Sequence, residues 1–289
     1  MNQSIFGLEW VRSIFVLSRP RFWLYLAGPI LIGLAYGATT VTDLRSIPAL
    51  VLVAYFILPA NIYLYGVNDI YDSAIDHLNP KKSGRERRWS ADPRNSGIVL
   101  GAGLLGVVPI LVTPRMAWAY LAGFFVLALA YSAPPVRFKS TPFLDSLSNG
   151  LYILPGAAAY VTLAETHPPT AILLGAWIWC MGMHTFSAIP DIVPDRLAGI
   201  RTTATALGKT KTLGYCLVCW SLTAVTFGIV DWRAGLLLTV YPLITVVIAW
   251  RSVSVTRAYW WFPAINGFVG AVLTIGGLWH LAGATELLT

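Results

Sequence analysis

Residues 47–76 read IPALVLVAYFILPANIYLYGVNDIYDSAID, an apolar run that ends in three carboxylates, Asp69, Asp72 and Asp76. A second apolar run, residues 170–190, ends in Asp191-Ile-Val-Pro-Asp195. Acidic side chains beside hydrocarbon are energetically costly and usually mark a functional site. The two stretches therefore predict a polar site where two membrane-spanning helices reach the same edge of the bilayer.

The composition supports a membrane protein, since 56% of the 289 residues are hydrophobic and only 11% are charged. Nine apolar runs approach or exceed the roughly 17–25 residues that cross a bilayer. We expect an all-α polytopic protein, a bundle of nine transmembrane helices around a central cavity, forming one domain over residues 1–289. The predicted spans are 22–37, 47–67, 97–113, 117–132, 144–163, 170–190, 213–230, 234–250 and 262–283.

The basic residues predict how this bundle is oriented. With the N-terminus in the cytoplasm, all of the 20 Lys and Arg residues except Arg45, Arg115 and Arg233 fall on the cytoplasmic side. This asymmetry is typical of proteins in the cell membrane, and it places both acidic clusters at the cytoplasmic face. The net charge of +7 suits anionic headgroups of the lipid bilayer and anionic substrates, whereas no motif indicates nucleic-acid binding.

The acidic clusters have the chemistry of a magnesium site. On a helix, Asp69, Asp72 and Asp76 share one face, and Asp191 and Asp195 are spaced i, i+4. Carboxylate and amide oxygens are hard ligands that suit Mg²⁺, which commonly binds substrate phosphates at the same time. The two clusters therefore predict Mg²⁺ ions that hold a diphosphate. The alternative is a solvated acidic face that is salt-bridged to Arg85, Arg87 and Arg88.

The pattern Asn68-Asp69-x-x-Asp72-x-x-x-Asp76 followed by Asp191-x-x-x-Asp195 resembles the paired aspartate motifs of the UbiA superfamily of intramembrane prenyltransferases. The resemblance includes Ser18-Arg19-Pro20 and the segment from Tyr131 to Lys139, and it covers nearly the whole chain. The stretches 65–84 and 138–145 look most like the lycopene elongase branch, whose members make fifty-carbon carotenoids.

The resemblance implies roles for individual positions. Asn68, Asp69, Asp72, Asp76, Asp191 and Asp195 would hold the metal, and Asp69, Asp72, Asp191 and Asp195 would be catalytic. Lys82, Tyr131, Lys139 and Arg201 would contact the diphosphate. Many members carry a further acidic residue where this chain has Leu197–Gly199, so the number of metal ions stays open.

Three polar residues deeper in the predicted spans are candidates for the acceptor cavity. Asn61 and Tyr65 extend the face of the first cluster into the bilayer, and His184 lies seven residues before Asp191. His184 would line the cavity or accept a proton, although a histidine that packs between helices is the simpler interpretation. Asp145, at the start of the fifth span, is either a helix N-cap or a residue that supports the site from behind, and we favour the cap.

The leading hypothesis is Mg²⁺-dependent transfer of a dimethylallyl group from its diphosphate to the ends of a lycopene-like polyene, with hydration of the end group left open. Loss of diphosphate produces an allylic carbocation, which inward-facing aromatic rings would stabilise. An aromatic or chlorin acceptor, as in quinone or chlorophyll synthesis, is the alternative within the same family. A cation-coupled transporter is a distant alternative, because such a protein would carry its ionisable groups near mid-membrane.

Overall fold

The computed structural model describes residues 14–72 and 93–286, and every regular element in these ranges is helical. Short 3-10 turns at Pro20–Phe22, Phe138–Ser140, Ser148–Tyr152 and Ile189–Asp191 adjoin several of the α-helices. In chain order the α-helices are α1 (Trp23–Gly37), α2 (Ile47–Ile57), α3 (Pro59–Asp72), α4 (Pro93–Leu104), α5 (Val107–Val112), α6 (Arg115–Ser132), α7 (Leu144–Leu147), α8 (Leu154–Ala164), α9 (Thr170–Ala188), α10 (Ile192–Leu197), α11 (Thr203–Val230), α12 (Trp232–Leu238), α13 (Val240–Trp250), α14 (Val255–Tyr259) and α15 (Phe262–Glu286).

Seven helical segments in the described part of the chain are long and apolar enough to cross a membrane. They are Ile47–Asp72, Arg94–Val112, Arg115–Ser132, Thr170–Leu197, Thr203–Val230, Trp232–Trp250 and Phe262–Trp279. The other two predicted spans correspond to α1, which has 15 residues, and to the α7–α8 region, which a 3-10 turn interrupts. The protein is therefore an all-helical, multi-pass membrane protein.

The break predicted between the third and fourth spans is confirmed. Thr113 and Pro114 are both extended, with ψ angles of 156° and 154°, and they separate α5 from α6. Proline cannot donate a backbone hydrogen bond, and its ring crowds the preceding turn of a helix. The chain therefore turns at this point and does not continue as one long helix.

The second predicted span bends at Leu58, where α2 ends and α3 begins at Pro59. Asn61 is fully buried beside this bend. Its Nδ2 donates to the carbonyl oxygens of Phe56 at 2.9 Å and of Ile57 at 3.1 Å. The side chain thus satisfies carbonyls that the proline bend takes out of the helical ladder, since such groups cost several kcal/mol when unpaired in lipid.

Two large buried apolar clusters divide the bundle, and a smaller third cluster joins α3 to α4. The first joins α1, α2, α3, α6 and α8 around side chains such as Leu26, Ile30, Phe56 and Phe124. The second joins α9, α11, α13 and α15 around aromatic rings that contact one another, those of Phe186, Trp220, Tyr241 and Phe262. The bundle therefore has two packed halves, and the space where they meet is available for a site.

Candidate active site

A cavity of about 260 Å³ lies between the two halves. Its wall combines aromatic rings, apolar side chains, and a few polar groups that include Arg19, Asn68 and Asn149. The rings belong to Phe22, Tyr25, Tyr65, Tyr131, Tyr152, Trp179 and Tyr259. Ligand sites in proteins are commonly concave and largely apolar, with a small number of polar groups that orient the ligand.

Helix α3 lines this cavity with Leu64, Tyr65 and Asn68, and the next residue, Asp69, is buried. Arg19 Nη2 donates to Asp69 Oδ1 at 2.7 Å, and the Arg19 guanidinium lies 4.7 Å from the centroid of the Tyr65 ring. Arg19 itself has a positive φ of 50°, and Pro20 follows it at the start of a 3-10 turn. The chain before α1 thus places a cation directly against the first motif.

Asn68 and Asp72 meet side chains from the segment that follows α6. Lys139 Nζ donates to Asp72 Oδ1 and, at 3.3 Å, to Asn68 Oδ1. Arg137 Nη2 also lies 3.3 Å from Asp72 Oδ1, and Ser132 Oγ donates to Asn68 Oδ1 at 3.1 Å. Three cations, Arg19, Arg137 and Lys139, therefore neutralise the two described carboxylates of the first motif.

The second motif lies where α9 passes into a 3-10 turn and then into α10. Asp191 ends the turn, and Asp195 lies in the first turn of α10. Pro194 is also in this first turn, where helix N–H groups have no intrahelical acceptor, so it does not disturb the helix. Arg196 Nη2 donates to the carbonyl oxygen of Thr205 at 2.7 Å, which ties the motif to the start of α11.

The two motif-bearing helices contribute to the same cavity. Asn68 from α3 lines it, and so do His184 and Ser187 from α9. Ser187 precedes Asp191 by one helical turn. The ends of α3 and α9 that carry the acidic motifs therefore border one space between the halves.

Two of the three residues predicted to form the acceptor cavity line the cavity described above. Tyr65 and His184 line the cavity, and the His184 ring packs edge-to-face on Tyr131 with the centroids 5.9 Å apart. Asn61 is not among the lining residues, because its amide is engaged in the bend between α2 and α3. Asn61 stays a candidate for the acceptor cavity, with its Nδ2 held at the bend.

The predicted diphosphate-binding residues also lie in different surroundings. Tyr131 lines the cavity, and Lys139 reaches the first motif. Arg201 is exposed in the segment before α11. Lys82 and Asp76 lie outside the described residues.

The sequence suggested that Asp145 caps its own helix, and the structure shows that it does not. The residue before α7 is Phe143, and Asp145 lies within the helix, fully buried. Its Oδ2 accepts the backbone N–H of Thr203 at 2.9 Å, and its Oδ1 accepts the Thr203 hydroxyl. The carboxylate therefore holds the first residue of α11, which Thr202 and Thr205 cap reciprocally.

Among residues 14–72 and 93–286, no three His, Cys, Asp or Glu side chains form a group that could hold a metal ion. Asn68, Asp69 and Asp72 nevertheless offer the hard oxygen ligands that Mg²⁺ prefers. Their side chains are held by cationic partners, and Asn68 also lines the cavity. The donor set therefore fits a magnesium ion in its chemistry.

Sequence reasoning did not assign Arg19 and Arg137 to the site. Both look like ordinary positive-inside anchors, because each follows or precedes an apolar run. Their proximity to prolines, in Arg19-Pro20 and Pro134-Pro135-Val136-Arg137, was the available signal for chain turns that direct these side chains inward. The structure gives both residues a positive φ, of 50° and 41°.

A family model described as the UbiA prenyltransferase family matches residues 26–262. The chain belongs to the UbiA prenyltransferase family. This membership confirms the family resemblance and identifies the protein as a prenyltransferase, so the transporter alternative is wrong.

Two relatives and one solved structure are close to this UbiA family member. The lycopene elongase/hydratase of Halobacterium salinarum is 60% identical over 93% of this chain and 98% of its own length. That of Haloferax volcanii is 57% identical over 92% of this chain and 88% of its own. A UbiA homologue from Archaeoglobus fulgidus, solved with DMAPP and Mg²⁺, shares the fold with a TM-score of 0.74 at 20% identity, over 93% of this chain and 99% of that one.

Proposed function

We propose that this protein is a lycopene elongase of the hydratase type. It transfers a dimethylallyl group from dimethylallyl diphosphate to each end of lycopene, in carotenoid biosynthesis. The near full-length identity of 57–60% with lycopene elongase/hydratases supports this acceptor over an aromatic or chlorin ring.

The observation that carries the proposal is the two-part wall of the cavity. Arg19 and Asn68 are polar lining groups that suit a diphosphate, and Lys139 donates to Asn68. The rest of the wall is mainly seven aromatic rings and apolar side chains such as Leu64 and Met183, which suit a hydrocarbon chain. A substrate with an anionic head and a short prenyl tail matches this division, and a polyene end can meet the tail inside.

Asn68, Asp69, Asp72 and Asp76 from the first motif, with Asp191 and Asp195 from the second, are the residues that would hold Mg²⁺. When bound, the metal neutralises charge that builds up on the leaving diphosphate. In the structure, the carboxylates of the first motif are paired with cationic side chains. Substrate binding would exchange these partners, so that the carboxylates face the metal and the cations face phosphate oxygens.

Cationic side chains of the protein would also neutralise the charge that builds up on the leaving diphosphate. Arg19, Arg137 and Lys139 are already gathered within hydrogen-bonding distance of Asp69 and Asp72. Preorganised charges of this kind stabilise a developing negative charge without having to reorient during the reaction, and this stabilisation commonly contributes most of an enzyme's rate enhancement. With Tyr131, and with Lys82 and Arg201 as further candidates, they would bind the diphosphate.

The rings in the cavity would protect the carbocation that remains. A cation is attracted to the face of an aromatic ring by about 0.5–2 kcal/mol or more when water is excluded. Tyr65, Tyr131 and Trp179 all line the wall, on helices from both halves of the bundle. The same rings exclude water until the double bond of the acceptor has attacked.

We also propose that the chain crosses the cell membrane nine times. The passes are the seven long helices, α1 and the α7–α8 region. This topology places the N-terminus and both acidic motifs at the cytoplasmic face. Water-soluble dimethylallyl diphosphate would enter from that side, while lycopene would enter from the bilayer.

The test is an assay of membranes containing the protein, supplied with lycopene, Mg²⁺ and isotopically labelled dimethylallyl diphosphate. We expect carotenoids that carry one and then two labelled five-carbon units by mass spectrometry, and no product after chelation of Mg²⁺. Membranes that contain the Asp69→Asn variant are the matched control. Transfer of the label to a phenolic or chlorin acceptor, with lycopene unchanged, would contradict the proposed acceptor.

A further inference from the structure

Three segments that are far apart in sequence bring Asp145, His184 and Thr203 together beside the cavity. The Asp145 carboxylate is fully buried, and its two oxygens accept the N–H and the hydroxyl of Thr203. His184 Nε2 lies 3.6 Å from Asp145 Oδ2. The Thr203 hydroxyl also accepts the backbone N–H of Phe143 at 2.7 Å, so the carboxylate is fixed in position.

His184 connects this buried carboxylate to the substrate space. It lines the cavity, and its ring packs at 89° on Tyr131, which fixes the plane of the imidazole. It lies seven residues before Asp191, which is about 10 Å along a helix axis. This depth separates it from the proposed diphosphate end and places it along the hydrocarbon part of the cavity.

The pair has the arrangement of an imidazole base supported by an acid. A buried carboxylate without a nearby donor or cation is costly, and the imidazole of His184 is the titratable ring that faces Asp145. Because Nε2 faces the carboxylate, we assign the N–H to Nε2 and the lone pair to Nδ1. His184 can therefore take up a proton inside the bundle without creating an isolated positive charge.

We propose that His184 is the base of the hydration step, and that Asp145 is its positioning residue. The inference rests on the proposed function, and it assigns the fate of the carbocation. Attack by the terminal double bond of lycopene on the dimethylallyl cation forms a C–C bond and leaves a tertiary cation. A water oxygen then forms a C–O bond to that carbon, and the O–H bond breaks with its proton passing to His184. The product is a tertiary alcohol, and the imidazolium later returns its proton to solvent.

The experiment compares product composition and not only rate. Wild type, His184→Gln and Asp145→Asn are assayed with lycopene and labelled dimethylallyl diphosphate in H₂¹⁸O. We expect wild type to give an ¹⁸O-labelled alcohol. In His184→Gln, the ratio of alcohol to dehydrated alkene should fall by at least about tenfold, since a positioned base is commonly worth a factor of 10²–10⁴. The total yield of extended carotenoid, alcohol and alkene together, is recorded beside the ratio, so that a change in the transfer step is measured separately from the fate of the cation.

Thr185→Val is the matched control. Thr185 is the next residue on the same helix, it is fully buried, and its hydroxyl contacts Ser146 Oγ and the carbonyl oxygen of Met181. Its replacement disturbs the same helix contact without removing a base, so the ratio of alcohol to alkene should stay at the wild-type value. Asp145→Asn should lower the ratio in the direction of His184→Gln.

The outcomes separate this inference from the proposed function. If wild type does not extend lycopene at all, the proposed acceptor is wrong. If wild type extends lycopene and His184→Gln gives the same ratio of alcohol to alkene, the assignment of His184 is wrong. An equal change in Thr185→Val would also overturn it, because it would indicate a general effect of packing.

Discussion

At the scale of single residues, the site is an arrangement of matched charges. Asp72 has two cationic neighbours, Lys139 and Arg137, and Asp69 has Arg19. Charge-assisted hydrogen bonds of this kind are about twice as strong as neutral ones. They hold both carboxylates in place next to the membrane interior, where the same side chains are available to bind metal and diphosphate.

The structure predicts that Lys139 contributes more to activity than to folding. In Lys139→Ala, kcat/KM for dimethylallyl diphosphate should fall by about a hundredfold, which is the usual cost of removing one preorganised charge donor. Lys139→Arg should keep part of the activity, because it preserves the charge. The values of kcat and KM for dimethylallyl diphosphate are measured by product formation with saturating lycopene.

Lys211→Ala is the control for that prediction, because Lys211 is an exposed cation on α11. It should keep the wild-type kcat/KM. If Lys139→Ala lowered the melting temperature but left kcat/KM unchanged, Lys139 would have only a structural role.

At the scale of helices, close packing in the first half depends on glycines. Gly33 of α1 faces Gly156 of α8, and a Cβ added at Gly33 would lie 2.1 Å from the carbonyl oxygen of Gly156. Helices in membranes often approach each other through small residues, because apolar side chains gain little by leaving lipid. Gly28, on the same helix α1, has nothing within 4 Å of an added Cβ.

These two glycines allow a prediction with its own control. Gly33→Ala should strongly destabilise the protein or prevent its folding, because the obstacle is backbone and cannot rotate away. Gly28→Ala should be neutral or stabilising by about 0.5–1 kcal/mol, the helix propensity difference between the residues. Thermal unfolding of both detergent-purified variants measures the difference, and equal melting temperatures would contradict the close contact.

Some features of individual helices could be predicted from the sequence, and others could not. The motif positions on α3 and α9 followed from hydrophobic runs and spacing, and the break at Pro114 followed from proline chemistry. The role of Asn61 could not be predicted, since a polar residue on the motif face of the helix has the same sequence spacing whether it faces a cavity or a bend. In the structure its Nδ2 donates to two carbonyl oxygens at the bend, a contact that spacing along the helix does not reveal.

At the scale of the whole molecule, the topology is open to a direct test. The three native cysteines are buried, so introduced thiols can be labelled selectively. Thr166 and Thr256 are both exposed, in the α8–α9 turn and in α14. With nine passes and a cytoplasmic N-terminus, a membrane-impermeant thiol reagent should label Thr166→Cys in intact cells and Thr256→Cys only after the cells are opened.

Thr166→Cys is the control for reagent activity, because it should be labelled in intact and in opened cells, whereas Thr256→Cys should be labelled only in opened cells. Labelling of Thr256→Cys in intact cells would place α14 outside and invert the orientation. It would also move both acidic motifs away from the cytoplasmic supply of diphosphate.

The sequence by itself determined the membrane class, the family and the helix ends on which the acidic motifs lie, because hydrophobic runs and short motifs are local properties of the chain. Only the tertiary structure decided which partners those residues meet. Arg19, Asp69 and Lys139 come together from distant segments when α1, α3 and α6 pack, and Asp145, His184 and Thr203 when the α7 region packs against α9 and α11. Side-chain spacing along one helix carries no information about the neighbouring helix, so these contacts depend on packing across the whole molecule.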